Sequence, residues 1–106
     1  MSVVLLMSSK ADSSVVICLP IADQTGYREF CVPVAARLGL IWLPLFEGGF
    51  PVGPENVQDV AREFEQLRDE LISDGSTSKQ FTDRLGGIVE ALRNHANRND
   101  LEVWIG

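Results

Sequence analysis

Pro54-Glu-Asn-Val-Gln-Asp-Val-Ala-Arg-Glu-Phe-Glu-Gln-Leu-Arg-Asp-Glu-Leu-Ile-Ser-Asp74 decides how the rest of the chain is read. Its apolar residues Val57, Val60, Ala61, Phe64, Leu67, Leu71 and Ile72 recur at three- and four-residue intervals, the period of a helix with one buried face. Pro54 suits the first helical position, where a missing N–H costs nothing. Glu55 places negative charge at the positive end of the helix dipole, and Asp74-Gly75 stops the run. A helix of this kind has to lay its stripe on something, and the flanking segments supply a sheet.

Downstream, Gly75-Ser-Thr-Ser78 leads into a second helical pattern through Phe81, Leu85, Ile88, Val89, Leu92 and Ala96, with Thr77 and Gln80 spaced as a capping box. Gly86-Gly87 in its middle costs about 1 kcal/mol per residue against Ala, which predicts close approach to a neighbour. The pattern should end near Asn97 to Asp100. Leu101-Glu-Val-Trp-Ile105 alternates and reads as a final strand.

Upstream, Ile41-Trp-Leu-Pro-Leu-Phe46 is the most apolar stretch. Pro44 cannot donate to a ladder, so a short or edge strand is expected there, followed by a Gly- and Pro-rich loop from Glu47 to Gly53. Tyr27, Phe30, Cys31, Val34, Ala35 and Leu38 fall at helical spacing, predicting a helix over residues 26–38 with Thr25 or Asp23 as its cap and Gly39 at its end. Pro33 either kinks that helix or opens a shorter one. Val3 to Met7 and Ser14 to Ile21 read as two strands of a hairpin joined by the polar cluster Ser8 to Ser13. Their continuous apolar character predicts cover on at least part of both faces. The order is β-β-α-β-α-α-β: an α+β fold in which one mixed or antiparallel sheet of about four strands packs on about three helices, forming a single domain over residues 1–106.

Fifteen acidic residues against nine Lys and Arg give a net charge of −6, and no basic run occurs, which disfavours nucleic acid and anionic membranes as partners. The apolar start Val3 to Met7 lacks a basic flank and is too short for a secretory signal, and no stretch suits a membrane span, so the cytoplasm is the expected compartment. Cys18 and Cys31 sit in apolar surroundings and read as core thiols, with pairing left open. The one histidine, His95, has no visible catalytic partner and reads as a helix-terminal residue. One His and two separated Cys match no zinc spacing. Gly48-Gly-Phe-Pro-Val-Gly-Pro54 lacks the Lys of a phosphate loop and adds Glu55, so it reads as a turn entering a helix. No catalytic, cofactor or metal site is expected.

With the apolar stripe of the helix turned inward, Asp59, Glu63 and Glu70 fall in one outward line, flanked by Glu55 and Gln66. That line is either a solvated face or a docking surface for a basic protein. Of the aromatic residues Trp42, Phe46, Phe50 and Trp104 most read as core, Trp42 among them. Phe50 is either core or an exposed anchor on the loop beside Glu47.

The stretch Leu38-Gly-Leu-Ile-Trp-Leu-Pro-Leu-Phe-Glu-Gly-Gly-Phe-Pro-Val-Gly-Pro-Glu-Asn-Val57, followed by Val60-Ala-Arg-Glu-Phe-Glu-Gln-Leu-Arg-Asp-Glu-Leu71, resembles small acidic immunity proteins of bacterial polymorphic toxin systems. The resemblance covers the middle of the chain and assigns no residue a role. It implies stoichiometric binding and neutralisation of a cognate toxin domain, a basic one if charge decides. The leading expectation is thus a non-catalytic protein-binding module using Asp59, Glu63, Glu70, Glu47 and Phe50. Reversing Asp59 and Glu63 to Lys is expected to weaken binding and leave the fold intact. The alternatives are a homodimeric assembly subunit, joined through exposed residues of Ile41 to Phe50 or a free edge at Leu101 to Ile105, and a small enzyme or ligand-binding domain using His95 or Cys31.

Overall fold

In the computed structural model, which describes residues 2–12, 14–75, 77–98 and 100–106, the chain follows the expected order and forms one antiparallel four-stranded sheet. The portions of the polar cluster, the linker before the last helix and that helix's end that fall on Ser13, Ser76 and Asn99 lie outside the described residues. Strands β1 (Ser2–Ser9) and β2 (Val15–Asp23) make the expected hairpin. Strand β4 (Leu101–Ile105) pairs with β1 on one side and with β3 (Phe50–Val52) on the other, giving the spatial order β2-β1-β4-β3. Leu101 to Ile105 is therefore an interior strand, and the free edge expected there does not exist. The real edges are β2 and β3, and each carries a proline, Pro20 and Pro51, which removes a donor from the exposed ladder.

Alternation along β1 turns Val3, Leu5 and Met7 into the core, where they meet Ile21, Leu101, Val103 and Ile105. The helices close this face. Residues 24–37 run as one helix, α1, built from Gln24–Gly26, a π segment Tyr27–Cys31 and Val32–Arg37. Asp23 caps it by accepting from the Gly26 N–H, and Gly39 leaves it with φ of 75°. Pro33 stands at the start of the last segment, directly after the wider turn in which the Val32 N–H reaches back to the Tyr27 carbonyl. That turn carries the chain past a residue that cannot donate and whose ring would crowd the preceding turn.

A 3₁₀ turn, Pro54–Asn56, leads into α2 (Val57–Asp74), and α3 (Lys79–Asn94) packs beside it. The cap of α3 is Ser78, one residue later than the sequence suggested, its hydroxyl accepting from the Phe81 N–H at 3.2 Å. Of the two mid-helix glycines only Gly86 faces a neighbour: a Cβ there would lie 3.3 Å from Arg68 Nη1, whereas one on Gly87 would meet open space.

The expected strand at Ile41 to Phe46 is a 3₁₀ turn, Leu43–Glu47, and the third strand forms instead inside what reads as a loop. Pro44 favours the first turn of a helix, and the N–H groups of Ile41, Trp42 and Leu43 are taken by a side chain rather than by a neighbouring strand. Phe46 from this turn stacks on Phe64 of α2 at 6.0 Å, both fully buried, each burial being worth roughly 2–3 kcal/mol. Trp42 is half-buried between Phe46 and Phe50.

Candidate functional site

The side chain that holds residues 41–43 is Glu63. Its carboxylate accepts from the backbone N–H of Ile41 at 3.2 Å, Trp42 at 2.9 Å and Leu43 at 3.2 Å. Glu63 is buried, so the middle of the acidic line expected to face solvent instead faces the connection between α1 and the 3₁₀ turn. Helical periodicity located the stripe correctly, but it could not see that a loop folds over its middle. The reversal of Glu63 to Lys expected to spare the fold would set an ammonium against three backbone donors.

The other expected residues each have a local partner. Asp59 is exposed and held by Arg62 at 2.6 Å. Glu70 is held by Arg37 at 2.8 Å, and Glu47 lies 3.8 Å from Arg28. Exposed pairs of this sort contribute about 0–1 kcal/mol each, but they offset the charge a basic partner would seek. Phe50 is partly exposed and sits edge-on to Trp42, with ring centroids 6.1 Å apart. Ile41 and Leu45 are exposed, as the assembly reading asked.

Cys18 is exposed and Cys31 buried, and both are free. Burial pushes the Cys31 thiol up to about 12, which makes it inert rather than nucleophilic. Tyr27, whose hydroxyl donates to the Leu43 carbonyl at 2.6 Å, is also shifted upward by burial, with Cys31, Glu63 and Glu47 adding in the same direction. His95 donates from Nδ1 to the Ala91 carbonyl at 2.9 Å, closing the helix end. Among the described residues no group of three or more His, Cys, Asp or Glu is gathered as a metal would require, and no helix is long and apolar enough to cross a membrane.

What the sequence reading missed is the outer face of the sheet. Cross-strand partners share a face, so the register sets Leu6 between Cys18 and Trp104, and Trp104 beside Pro51. Val4 lies opposite Pro20 in the neighbouring row. Cys18, Pro20, Pro51 and Trp104 are exposed, and Val4 and Leu6 are half-buried. Across all four strands the only charged residues are Asp23 and Glu102. An antiparallel sheet with one face in water ordinarily alternates apolar-in and polar-out; here the outer face is apolar through its middle, with Ser8 and Glu102 toward one end. The cover predicted for both faces is supplied by this chain on one face only.

Trp104, 43% exposed, is the centre of that face and is held in place. Its indole lies on Gly49, whose φ of 85° suits glycine. A hollow of about 420 Å³ opens on one side of the ring, lined by Ser8, Lys10, Pro51, Gly53 and Glu102 among others. A second, of about 330 Å³, opens on the other side over Ser2, Gly48, Gly49 and Gly106. The readable signal was in β4 itself: alternation puts Trp104 on the face of Glu102, where a solvated sheet would carry a second polar residue.

Comparison with protein-family models, with curated proteins and with solved structures found no match for this chain.

Proposed function

We propose that the chain is a non-catalytic protein-binding module whose docking surface is the outer face of the sheet, centred on Trp104. One observation carries this reading: a chain of net charge −6 bares a sheet face that is apolar from Val4 and Leu6 through Cys18 and Pro20 to Pro51 and Trp104. Contiguous apolar surface of this kind marks a place where another protein sits, and a fixed aromatic at its centre is the usual energetic anchor. The finer reading is a cytoplasmic immunity-type inhibitor that binds a toxin domain one to one. The acidic balance then keeps the free protein dispersed and speeds the encounter with a basic target, while the sheet face supplies the affinity.

The test is capture from source extract with the pure protein and with a Cys18→Glu variant as baits, each washed at low and high salt. The expected outcome is one stoichiometric partner, retained by the wild type at high salt because the contact is apolar, and lost by the variant. Equal capture by both baits would move the surface elsewhere; no partner for either would remove the reading.

A further inference from the structure

We propose that in the free protein this same face is closed by a second copy of the chain, packed sheet to sheet about a twofold axis, so that the partner binds by displacing it. The inference rests on the reading of the face as a protein-binding surface and adds how that surface is kept covered.

Four observations favour a second copy. The first is electrostatic: two acidic chains attract only where charge is absent, and the sheet holds two of the chain's 24 charged residues, Asp23 and Glu102. Stacking sheet on sheet leaves the charged helices on opposite outer sides of the pair, beyond the roughly 8 Å over which salt screens. The second is shape. Hollows of about 420 and 330 Å³ flank Trp104, so a twofold axis offset from Trp104 can seat each copy's indole in a hollow of the other, the self-complementarity an isologous contact requires.

The third is the rim. Lys10 and Glu102 line the larger hollow and form no ion pair among the described residues, although seven of the nine cations do. In an isologous contact an opposite pair of this kind is used twice, each Lys facing the other copy's Glu. The fourth is the edges. Pro20 and Pro51 obstruct pairing along both free edges, so the sheet associates through its face rather than by extending its ladder.

Size sets the strength. Four strands spaced ~4.8 Å apart and ~20 Å long present roughly 400 Å² of projected face per copy, about 800 Å² for the pair, which is below the roughly 1,200 Å² where standard specific interfaces begin and sets a weak, reversible dimer rather than an obligate one. Reversibility is what a face reserved for a partner needs.

The experiment is sedimentation of the pure full chain over a concentration series up to about 100 µM, well above a micromolar dissociation constant, at low and high salt. The expected result is a monomer–dimer equilibrium retained at high salt. Trp104→Glu should weaken self-association by about 30-fold or more, the scale of a central anchor. Because Trp104 also rests on Gly49, Cys18→Glu, at an exposed position of the same row, is run beside it and should also give monomer with an unchanged circular dichroism spectrum. Labelling of the Cys18 thiol should slow as concentration rises. A monomer throughout, or a dimer indifferent to Cys18→Glu, overturns the inference. In the first case, partner capture that still depends on Cys18 would leave the proposed function standing.

Discussion

The Trp104 indole lies across Gly49 so closely that a Cβ on Gly49 would sit 2.5 Å from its Cζ2. Gly49 also holds a φ of 85°, so an alanine there meets a steric clash and a strained backbone together. Gly49→Ala is expected to cost roughly 2–4 kcal/mol and to shift tryptophan fluorescence, as the ring is driven off its seat. Chemical denaturation followed through that fluorescence checks both effects, and an unchanged midpoint would mean that the ring is free to swing aside.

Glu63 gives a second prediction. Glu63→Ala leaves three backbone donors over residues 41–43 without their acceptor and should cost roughly 3 kcal/mol or more. Glu63→Gln keeps one acceptor oxygen but faces donors with donors, and should cost less. Asp59→Lys breaks only an exposed pair with Arg62 and should fall within about 0.5 kcal/mol of the wild type. Thermal melts of the three variants separate the buried acid from the exposed one. If Glu63→Ala melted with Asp59→Lys, the carboxylate would not be holding the loop.

The paired glycines of α3 make a control on opposite outcomes. Gly87 faces open space, so Gly87→Ala should stabilise by about 0.5–1 kcal/mol through helix propensity. Gly86→Ala gains the same propensity but presses on Arg68 at 3.3 Å, and should gain less. The reverse ranking in denaturant midpoints would contradict the helix packing described.

Stability should fall at alkaline pH. The Cys31 thiol titrates from 9.0 when free and is pushed up to about 12 in the fold by burial. The unfolded chain therefore loses this proton first. Its contribution is complete below pH 9 and declines as pH rises toward 12, by up to about 1.4 kcal/mol per pH unit. Tyr27 adds to the decline from about pH 10. Cys31→Ala should lose some stability at pH 7 and show a shallower fall above pH 9, measured by urea denaturation at a series of pH values.

The element order was legible because its signals are local. The stripe of Val57 to Leu71 and the alternation of Leu101 to Ile105 each belong to a single element, and each was read correctly. Misreadings gathered where a tertiary contact overruled a local signal. The apolar run at Ile41 to Phe46 could not be told from a strand until Glu63, twenty residues away, claimed its N–H groups. Cys18 looked like core because its neighbours are apolar, whereas β2 is an edge strand with one face bare. The candidate surface was half legible. The unbroken apolar runs of Val3 to Met7 and Ser14 to Ile21 put apolar character on both faces of β1 and β2, but only the register, which sets Leu6, Cys18 and Trp104 in one row, shows that it forms a continuous uncovered patch.

The strand order carries a consequence for biosynthesis. The β1–β2 hairpin is complete by Asp23, yet β1's other neighbour, β4, begins only at Leu101. On the ribosome the hairpin therefore waits, one flank unpaired, while the intervening helices are translated. At roughly 5–20 residues per second that wait lasts several seconds. During it Val3, Leu5 and Met7 have no finished core to enter, and the place between β1 and β3 stays open until Leu101 to Ile105 have been made.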